Sequence, residues 1–140
     1  MKNKYKKLII YTDGGARGNP GPAGCGVIFY NENKDVVAEI SKFIGHATNN
    51  YAEYMAVVFA FEKAKDLGAE YLDFYLDSEL VVKQLNREYK VKNKELASLF
   101  VKIYNNTLNF KEVKFFHIRR EFNKEADRLA NLAMDQAINK

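Results

Sequence analysis

The sequence predicts an α/β protein with one five-stranded mixed sheet, an antiparallel meander of three strands plus two parallel strands, flanked by helices. In the first third of the chain, extended runs are separated only by short connections, as in an antiparallel meander. After residue 50 the apolar spacing becomes helical, and two more extended runs follow helical segments. Strands joined through a helix lie parallel, so we expect one sheet in a single domain, residues 1–140.

The three strands of the meander are predicted at residues 7 to 13, 24 to 30 and 36 to 44. A loop rich in Gly and Pro, residues 14 to 22, follows the first strand. Asn31-Glu32-Asn33-Lys34 supplies the hairpin turn between the second and third strands.

The helical half begins with a long predicted helix, residues 51 to 67, which Gly68 ends at the position after the cap. Residues 71 to 76 return as a strand, and Ser78 can cap a short helix behind it. The alternation of helix and strand is what makes this part of the sheet parallel.

Two further helices are predicted from a cap residue followed by an apolar stripe. Asn93 caps the first, whose stripe is Leu96, Leu99, Phe100 and Ile103. After a last strand at residues 112 to 118, Asn123 caps the final helix. The inward face of that helix is Ala126, Leu129, Ala130, Ala133 and Ala137.

The composition, 47% hydrophobic and 29% charged, is that of a globular chain rather than a disordered one. No apolar run approaches the roughly 18 residues that span a bilayer. Cys25, the single cysteine, excludes an internal disulfide and suits a reducing, cytoplasmic compartment; between Gly24 and Gly26 in a strand we expect it to be a packing residue. We expect a monomer, and a standalone protein because the chain begins with Met1.

The net charge of +4 is concentrated in two basic clusters, residues 83–94 and residues 111–124. The first contains Lys83, Arg87, Lys90, Lys92 and Lys94, and the second Lys111, Lys114, Arg119, Arg120 and Lys124. Such clusters beside an acidic metal site favour a phosphate-backbone ligand. Ordinary solvated faces are the alternative interpretation of each cluster.

Four carboxylates, Asp13, Glu53, Asp77 and Asp127, are each expected where a strand or helix meets a turn. Each acid also has a purely structural interpretation. Glu53 can complete a capping box with Asn50, and Asp77 can be a turn acid. Asp127 can be stabilised by the positive end of the dipole of its helix. Those alternatives give no reason for all four to meet at one end of the sheet.

Converging carboxylates require a counter-charge. Two unit charges ~4 Å apart repel by about 1 kcal/mol in water and about 4 kcal/mol at an effective dielectric near 20. Oxygen ligands without a Cys or His spacing motif favour Mg²⁺ or Mn²⁺ over zinc. We therefore expect a divalent-metal site at this end of the sheet.

The motifs around these acids resemble those of type 1 ribonuclease H, in the same order and over nearly the whole chain. They are Thr12-Asp13-Gly14-Gly15 with Gly18-Asn19-Pro20-Gly21-Pro22, Thr48-Asn49-Asn50-Tyr51-Ala52-Glu53, Asp77-Ser78, and Asn123-Lys124-Glu125-Ala126-Asp127-Arg128-Leu129-Ala130. The resemblance implies a ribonuclease H-like fold and cleavage of the RNA strand of an RNA–DNA hybrid, leaving 5′-phosphate and 3′-hydroxyl ends.

The resemblance also implies the roles of the acids. Two Mg²⁺ ions, for which Mn²⁺ can substitute, would be held by all four: Asp13 between both, Asp127 with the ion that activates water, and Glu53 and Asp77 with the ion at the leaving oxygen. Contacts with nucleic acid are implied for Gly14, Gly15, Asn19, Thr48, Asn49, Asn50, Arg119 and Arg120.

Two departures from the family pattern are visible. Many members have a mobile catalytic His before the last acid, whereas the segment 118–123 has none, and we interpret His117 as structural and His46 as a surface or turn residue. Arg119, Arg120 or Glu121 are candidates to assist in its place. A short basic turn, residues 86 to 95, replaces the long basic handle of some members, and we expect no separate hybrid-binding domain before the first motif.

Other functions of the same fold fit less well. Exonucleases of the superfamily typically have Asp-x-Glu in the first strand, where this chain has Asp13-Gly14-Gly15, and transposase-like members run Asp, Asp, Glu. The remaining alternative is a catalytically weak or inactive nucleic-acid-binding module. Retention of all four acids argues against it.

Overall fold

The computed structural model describes residues 5–138, which form a five-stranded sheet with helices on both faces. The strands are β1 (Lys7–Ala16), β2 (Gly21–Tyr30), β3 (Val36–Ala47), β4 (Tyr71–Leu76) and β5 (Glu112–His117). The helices are α1 (Asn49–Asp66), α2 (Glu79–Leu85), α3 (Lys94–Thr107) and α4 (Lys124–Ile138), with a single 3₁₀ turn at Arg120–Phe122. Of the helices in this part of the chain, none has the length and apolar character to cross a membrane.

The strand order is β3-β2-β1-β4-β5. The pairs β1–β2 and β2–β3 are antiparallel, and the pairs β1–β4 and β4–β5 are parallel. The predicted fold class, a meander joined to two parallel strands, is therefore confirmed.

The two faces of the sheet are covered in different ways. On one face, α1 packs small residues against β1 and β2, and the Cys25 thiol donates to the Ala52 carbonyl oxygen at 3.3 Å. On the other face α4 lies directly on β2. The contact is so close that a Cβ on Gly26 would be 2.1 Å from the Ala126 carbonyl oxygen. Glycine at this position is therefore what allows α4 to approach the sheet.

The first hairpin is longer and tighter than predicted. β1 continues through Ala16, which pairs with Ala23, and the predicted loop of residues 14–22 is reduced to residues 17–20. Asp13 therefore lies inside β1, opposite Gly26, and the expectation that it ends a strand was wrong. Local Gly and Pro content indicated a loop, but cross-strand hydrogen bonding extends both strands past it.

Helix caps follow the predictions at Ser78, Asn93 and Gly68, and differ at α1 and at the final helix. Ser78 and Asn93 accept hydrogen bonds from the third residue beyond them, and Gly68 has φ of 76° after the end of α1. The N-cap of α1 is Thr48, whose Oγ1 accepts from the Tyr51 amide at 3.1 Å. The capping box that would pair Asn50 with Glu53 is therefore absent.

Candidate active site

Three carboxylates meet at the edge of the sheet where β1 and β4 lie side by side. Tyr11 pairs with Tyr75, so that Asp13 and Asp77, each two residues further along, reach the same level. Glu53 comes from α1, which packs across β1. Asp13, Glu53 and Asp77 each offer one oxygen, and these oxygens lie within 4.8 Å of one another.

Glu53 reaches the cluster because Gly14 lets α1 approach closely. A Cβ on Gly14 would be 2.3 Å from the Ala52 carbonyl carbon, so only glycine fits there. The Gly14 backbone amide donates to the Glu53 carboxylate, while the Glu53 Oε1 atom has no hydrogen-bond partner. Gly14, for which a nucleic-acid contact was predicted, is buried against this helix.

Asp127 adds a fourth carboxylate from the first turn of α4. It lines, together with the other three acids, a cavity of about 410 Å³, and its carboxyl forms a hydrogen bond with that of Asp13. The structure thus brings all four predicted acids to one cavity; their catalytic and metal-binding roles remain a prediction.

Burial and mutual repulsion dominate the electrostatics of this cavity. Asp13 is 5% exposed and Glu53 is 8% exposed. Burial first, then the charge of Asp77 and the hydrogen bond with Asp127, raise the pKa of Asp13 to about 8. Burial and the charge of Asp13 likewise raise the pKa of Glu53, and Arg120 at the rim partly opposes both shifts. A cation in the cavity would relieve this repulsion.

The residues present fit a divalent cation. The cluster offers only carboxylate oxygens, the ligands that Mg²⁺, Mn²⁺ and Ca²⁺ prefer. The unpartnered Glu53 Oε1 is a buried acceptor that otherwise costs free energy. The chemistry of the donor set therefore indicates divalent-metal binding.

Asn123 is a site residue whose role the sequence did not indicate. It is 1% exposed, and its Nδ2 donates to the Thr12 carbonyl oxygen and to Asp77 Oδ2, both at 2.9 Å. We had predicted a side-chain cap of the final helix; instead only its backbone oxygen accepts, from the Asp127 amide, and its Oδ1 has no partner. An Asn before a helix has the same sequence signal in either case.

Arg17 is a second residue that the sequence analysis missed. It lines the acidic cavity, donates to Asn131 Oδ1 at 3.2 Å and forms an ion pair with Asp135 at 2.6 Å. These contacts attach the loop of residues 17–20 to α4. Only the tertiary structure reveals them, because the partners are more than a hundred residues away in the chain.

Some of the residues predicted to contact nucleic acid lie at the mouth or in the lining of the acidic cavity, and others lie outside it. At the mouth of the cavity, Asn19 Oδ1 accepts from the Asn49 amide at 3.0 Å, and Asn49 Oδ1 accepts from the Ala16 amide at 2.8 Å. Asn49, Gly15 and Arg120 line the cavity itself. Thr48 is the helix cap, Asn50 follows in the first turn of α1, and Arg119 is exposed in an ion pair with Glu121. Their contacts with nucleic acid remain predictions.

Neither histidine of the chain lines the acidic cavity in the described region, residues 5–138. His117 is the exposed last residue of β5, and His46 is exposed in β3. Cys25 is buried and its thiol pKa is raised by that burial, which suits the predicted packing role.

The mixed sheet of this order brings four carboxylates to one cavity, from β1, α1, the end of β4 and the first turn of α4. This arrangement defines the ribonuclease H-like class of proteins. Residues 11–133 match the family model described as Reverse transcriptase-like. The chain is similar to LC11-RNase H1, isolated from compost by a metagenomic approach and solved in complex with an RNA/DNA hybrid; the two share 43% identity and a TM-score of 0.90, over 94% of this chain and 99% of that one.

Two relatives of known sequence support the same family. Ribonuclease H of Clostridium botulinum is 35% identical over 151 residues, which cover 94% of this chain and 97% of the relative. Bifunctional protein Rv2228c of Mycobacterium tuberculosis is 42% identical over 132 residues, 94% of this chain. This chain spans 36% of the length of that mycobacterial relative. The chain belongs to the ribonuclease H family.

Proposed function

We propose that this protein is an endoribonuclease that hydrolyses the RNA strand of RNA–DNA hybrids and leaves 5′-phosphate and 3′-hydroxyl ends. The observation that carries the proposal is the meeting of Asp13, Glu53 and Asp77 within 4.8 Å, with Asp127 beside them in the same cavity. Family membership and the RNA/DNA hybrid bound by LC11-RNase H1 support the choice of substrate.

The four acids would hold two Mg²⁺ ions, with Mn²⁺ as a possible substitute. Bound there, the ions would supply an activated water and stabilise the charge on the leaving oxygen. Asp13, central to the repulsion in the cavity, is the residue we assign to both ions. We assign Asp127 to the water side, and Glu53 and Asp77 to the leaving-group side.

The residues around the acids would bind and orient the hybrid. Short amides, Asn19 and Asn49 at the cavity mouth and Asn50 in the first turn of α1, can donate to and accept from a 2′-hydroxyl, the group that separates RNA from DNA. Arg120, whose charge opposes the raised pKa of both buried acids, would meet a backbone phosphate. With Arg119 and Glu121, it is one of the three candidates to assist in place of the mobile His of many family members.

A single domain acting as a monomer in the cytoplasm completes the proposal. The free, buried thiol of Cys25 is consistent with a reducing compartment. Analytical ultracentrifugation of the purified chain, with and without hybrid, tests the monomer directly.

The decisive experiment is cleavage of an end-labelled RNA–DNA hybrid with Mg²⁺. We expect cutting of the RNA strand alone, no cutting of matched DNA or RNA duplexes, and loss of activity in Asp77→Asn. Tight hybrid binding without cutting, in Mg²⁺ and in Mn²⁺, would contradict the enzymatic proposal and favour a binding module. Asp73→Asn is the matched control, since Asp73 is on the same strand but forms an ion pair with Lys7 away from the cavity.

A further inference from the structure

A second cavity, of about 340 Å³, opens beside the acidic one on the same face of the sheet. Its floor includes Tyr11 and Tyr30, whose ring centroids are 5.7 Å apart and whose planes are nearly perpendicular. One wall is Phe122, which is 66% exposed although it is a large apolar side chain. A cleft of this size between aromatic groups suits one flat ring.

The rim of this aromatic cavity carries two acids and two lysines, which differ in their ion pairs. Two acids line it, but Glu125 is bonded to Arg128 at 3.1 Å and Glu121 is paired with Arg119. Two lysines, Lys34 and Lys124, also line it, and within residues 5–138 neither forms an ion pair. The charges left without a partner at the rim are therefore positive.

Lys34 is held at the rim by its backbone. Its φ of 68° lies in the left-handed region, which lysine rarely adopts. The turn fixes it there, because the Lys34 amide donates to the Asn31 carbonyl oxygen at 3.0 Å and Asn31 Oδ1 accepts from the Asn33 and Asp35 amides. The ammonium group thus starts from a rigid turn rather than from a flexible loop.

The aromatic cavity is separated from the acidic one by a single buried side chain, that of Asn123. Asn123 lines it and at the same time bonds to Asp77. Tyr11 is two residues before Asp13 on β1, so the two side chains share a face and start ~7 Å apart. A single-stranded extension of a strand bound at the acidic cavity would therefore have to pass over Asn123 to reach the aromatic cavity.

We propose that the aromatic cavity binds an unpaired nucleotide of a single-stranded extension of the substrate, with the base against Phe122 and Tyr30 and a phosphate near Lys34 and Lys124. A flat base fills the apolar cleft, and the phosphate meets the lysines that have no ion-pair partner. A purely apolar ligand would leave those lysines unused. The inference deepens the proposed function, since it assumes that the hybrid lies in the acidic cavity.

The test uses a short single-stranded DNA carrying one 2-aminopurine, in buffer with EDTA, so that no cleavage is needed. We expect the fluorescence of 2-aminopurine to be quenched on binding to the wild-type protein, and the affinity to fall about tenfold in Phe122→Ser. Lys34→Gln should weaken binding less and reduce its dependence on salt. Leu108→Ser is the matched control, because Leu108 is 70% exposed and lies outside this cavity.

A second measurement separates this inference from the proposed function. A blunt hybrid and the same hybrid with a single-stranded DNA extension are compared for affinity in EDTA. We expect the extension to tighten binding in the wild type but not in Phe122→Ser, with equal affinity of both proteins for the blunt hybrid. Equal quenching and an equal gain in Phe122→Ser and wild type would overturn the inference, whereas failure of the blunt hybrid to be cut in Mg²⁺ bears on the proposed function alone.

Discussion

Among the single residues, Asp13 offers the clearest test of the acidic cluster, because burial and the neighbouring carboxylates raise its pKa to about 8 from an ordinary value of 3.8. In metal-free buffer the folded protein therefore keeps a proton on Asp13 that the unfolded chain has lost. The free energy of unfolding should fall as the pH rises between these two values, and the destabilisation should be fully present above the higher one.

Asp13→Asn removes this destabilisation. We predict that, without metal, the variant melts several degrees above the wild type when the pH exceeds about 8 and near the wild type at acidic pH. Added Mg²⁺ should raise the melting temperature of the wild type more than that of the variant, and cleavage should be abolished. A variant that melts several degrees lower at every pH would show that Asp13 is structurally paired.

Asn123 should act as a positioning residue for Asp77. Asn123→Ala removes the amide that holds Asp77 Oδ2 and the Thr12 carbonyl oxygen. We predict an affinity for Mn²⁺ reduced by about 10–100-fold, measured by calorimetry without nucleic acid, and a lower kcat for cleavage. Asn86→Ala is the control, because it also removes a bond to a backbone oxygen, that of Phe115 at 3.1 Å, but away from the acids. Equal metal affinity in the two variants would show a purely structural role.

At the scale of elements, the close contact between β2 and α4 decides where Asp127 lies. A Cβ on Gly26 would approach the Ala126 carbonyl oxygen to 2.1 Å and the Ala130 amide to 2.5 Å, so Gly26→Ala must displace α4. We predict destabilisation by about 1–3 kcal/mol or more in urea unfolding and a marked loss of cleavage. Gly15→Ala should keep wild-type stability, because its Cβ would meet only Asn49 Oδ1, at 3.8 Å.

Elements with a local signal were predictable from the sequence. The strand Tyr71–Leu76 and the caps Ser78, Asn93 and Gly68 agree with prediction because each depends on residues a few positions apart. The end of β1 at Ala16 does not, since it depends on pairing with β2. Local signals are also ambiguous between neighbouring cap residues, and for α1 the structure selects Thr48.

Part of the candidate site could also be predicted from the sequence. The positions of the four acids along the chain indicated that they would meet, because strand order and helix position are topological consequences of the element order. Two other features of the site could not be predicted from the sequence: the inward orientation of the Asn123 amide and the contacts of Arg17 with α4. Both depend on side-chain packing between segments that are distant in the chain. These are also the contacts that give the cavity its final shape.

At the scale of the whole molecule, the basic cluster of residues 83–94 is attached to the helix that carries Glu53. The Gln84 side chain accepts from the Tyr54 hydroxyl at 2.7 Å and donates to the Lys90 carbonyl oxygen at 3.5 Å. This link attaches the basic turn of residues 86–95 to α1, the helix that also carries Glu53. Phosphates of a bound hybrid would meet positive charge there.

Salt dependence tests this arrangement. We predict that the logarithm of the association constant for a blunt hybrid falls linearly with the logarithm of salt concentration, measured in EDTA by fluorescence anisotropy. Replacing Lys92 and Lys94 by Gln should reduce the slope by about one to two units, since each lost phosphate contact removes ~0.9. Replacing Lys63 and Lys65 by Gln changes the net charge equally but near the opposite end of α1, at least ~15 Å along the helix from Glu53, and should leave the slope nearly unchanged. Equal slopes in both double variants would mean that net charge, and not the basic turn of residues 86–95, governs binding.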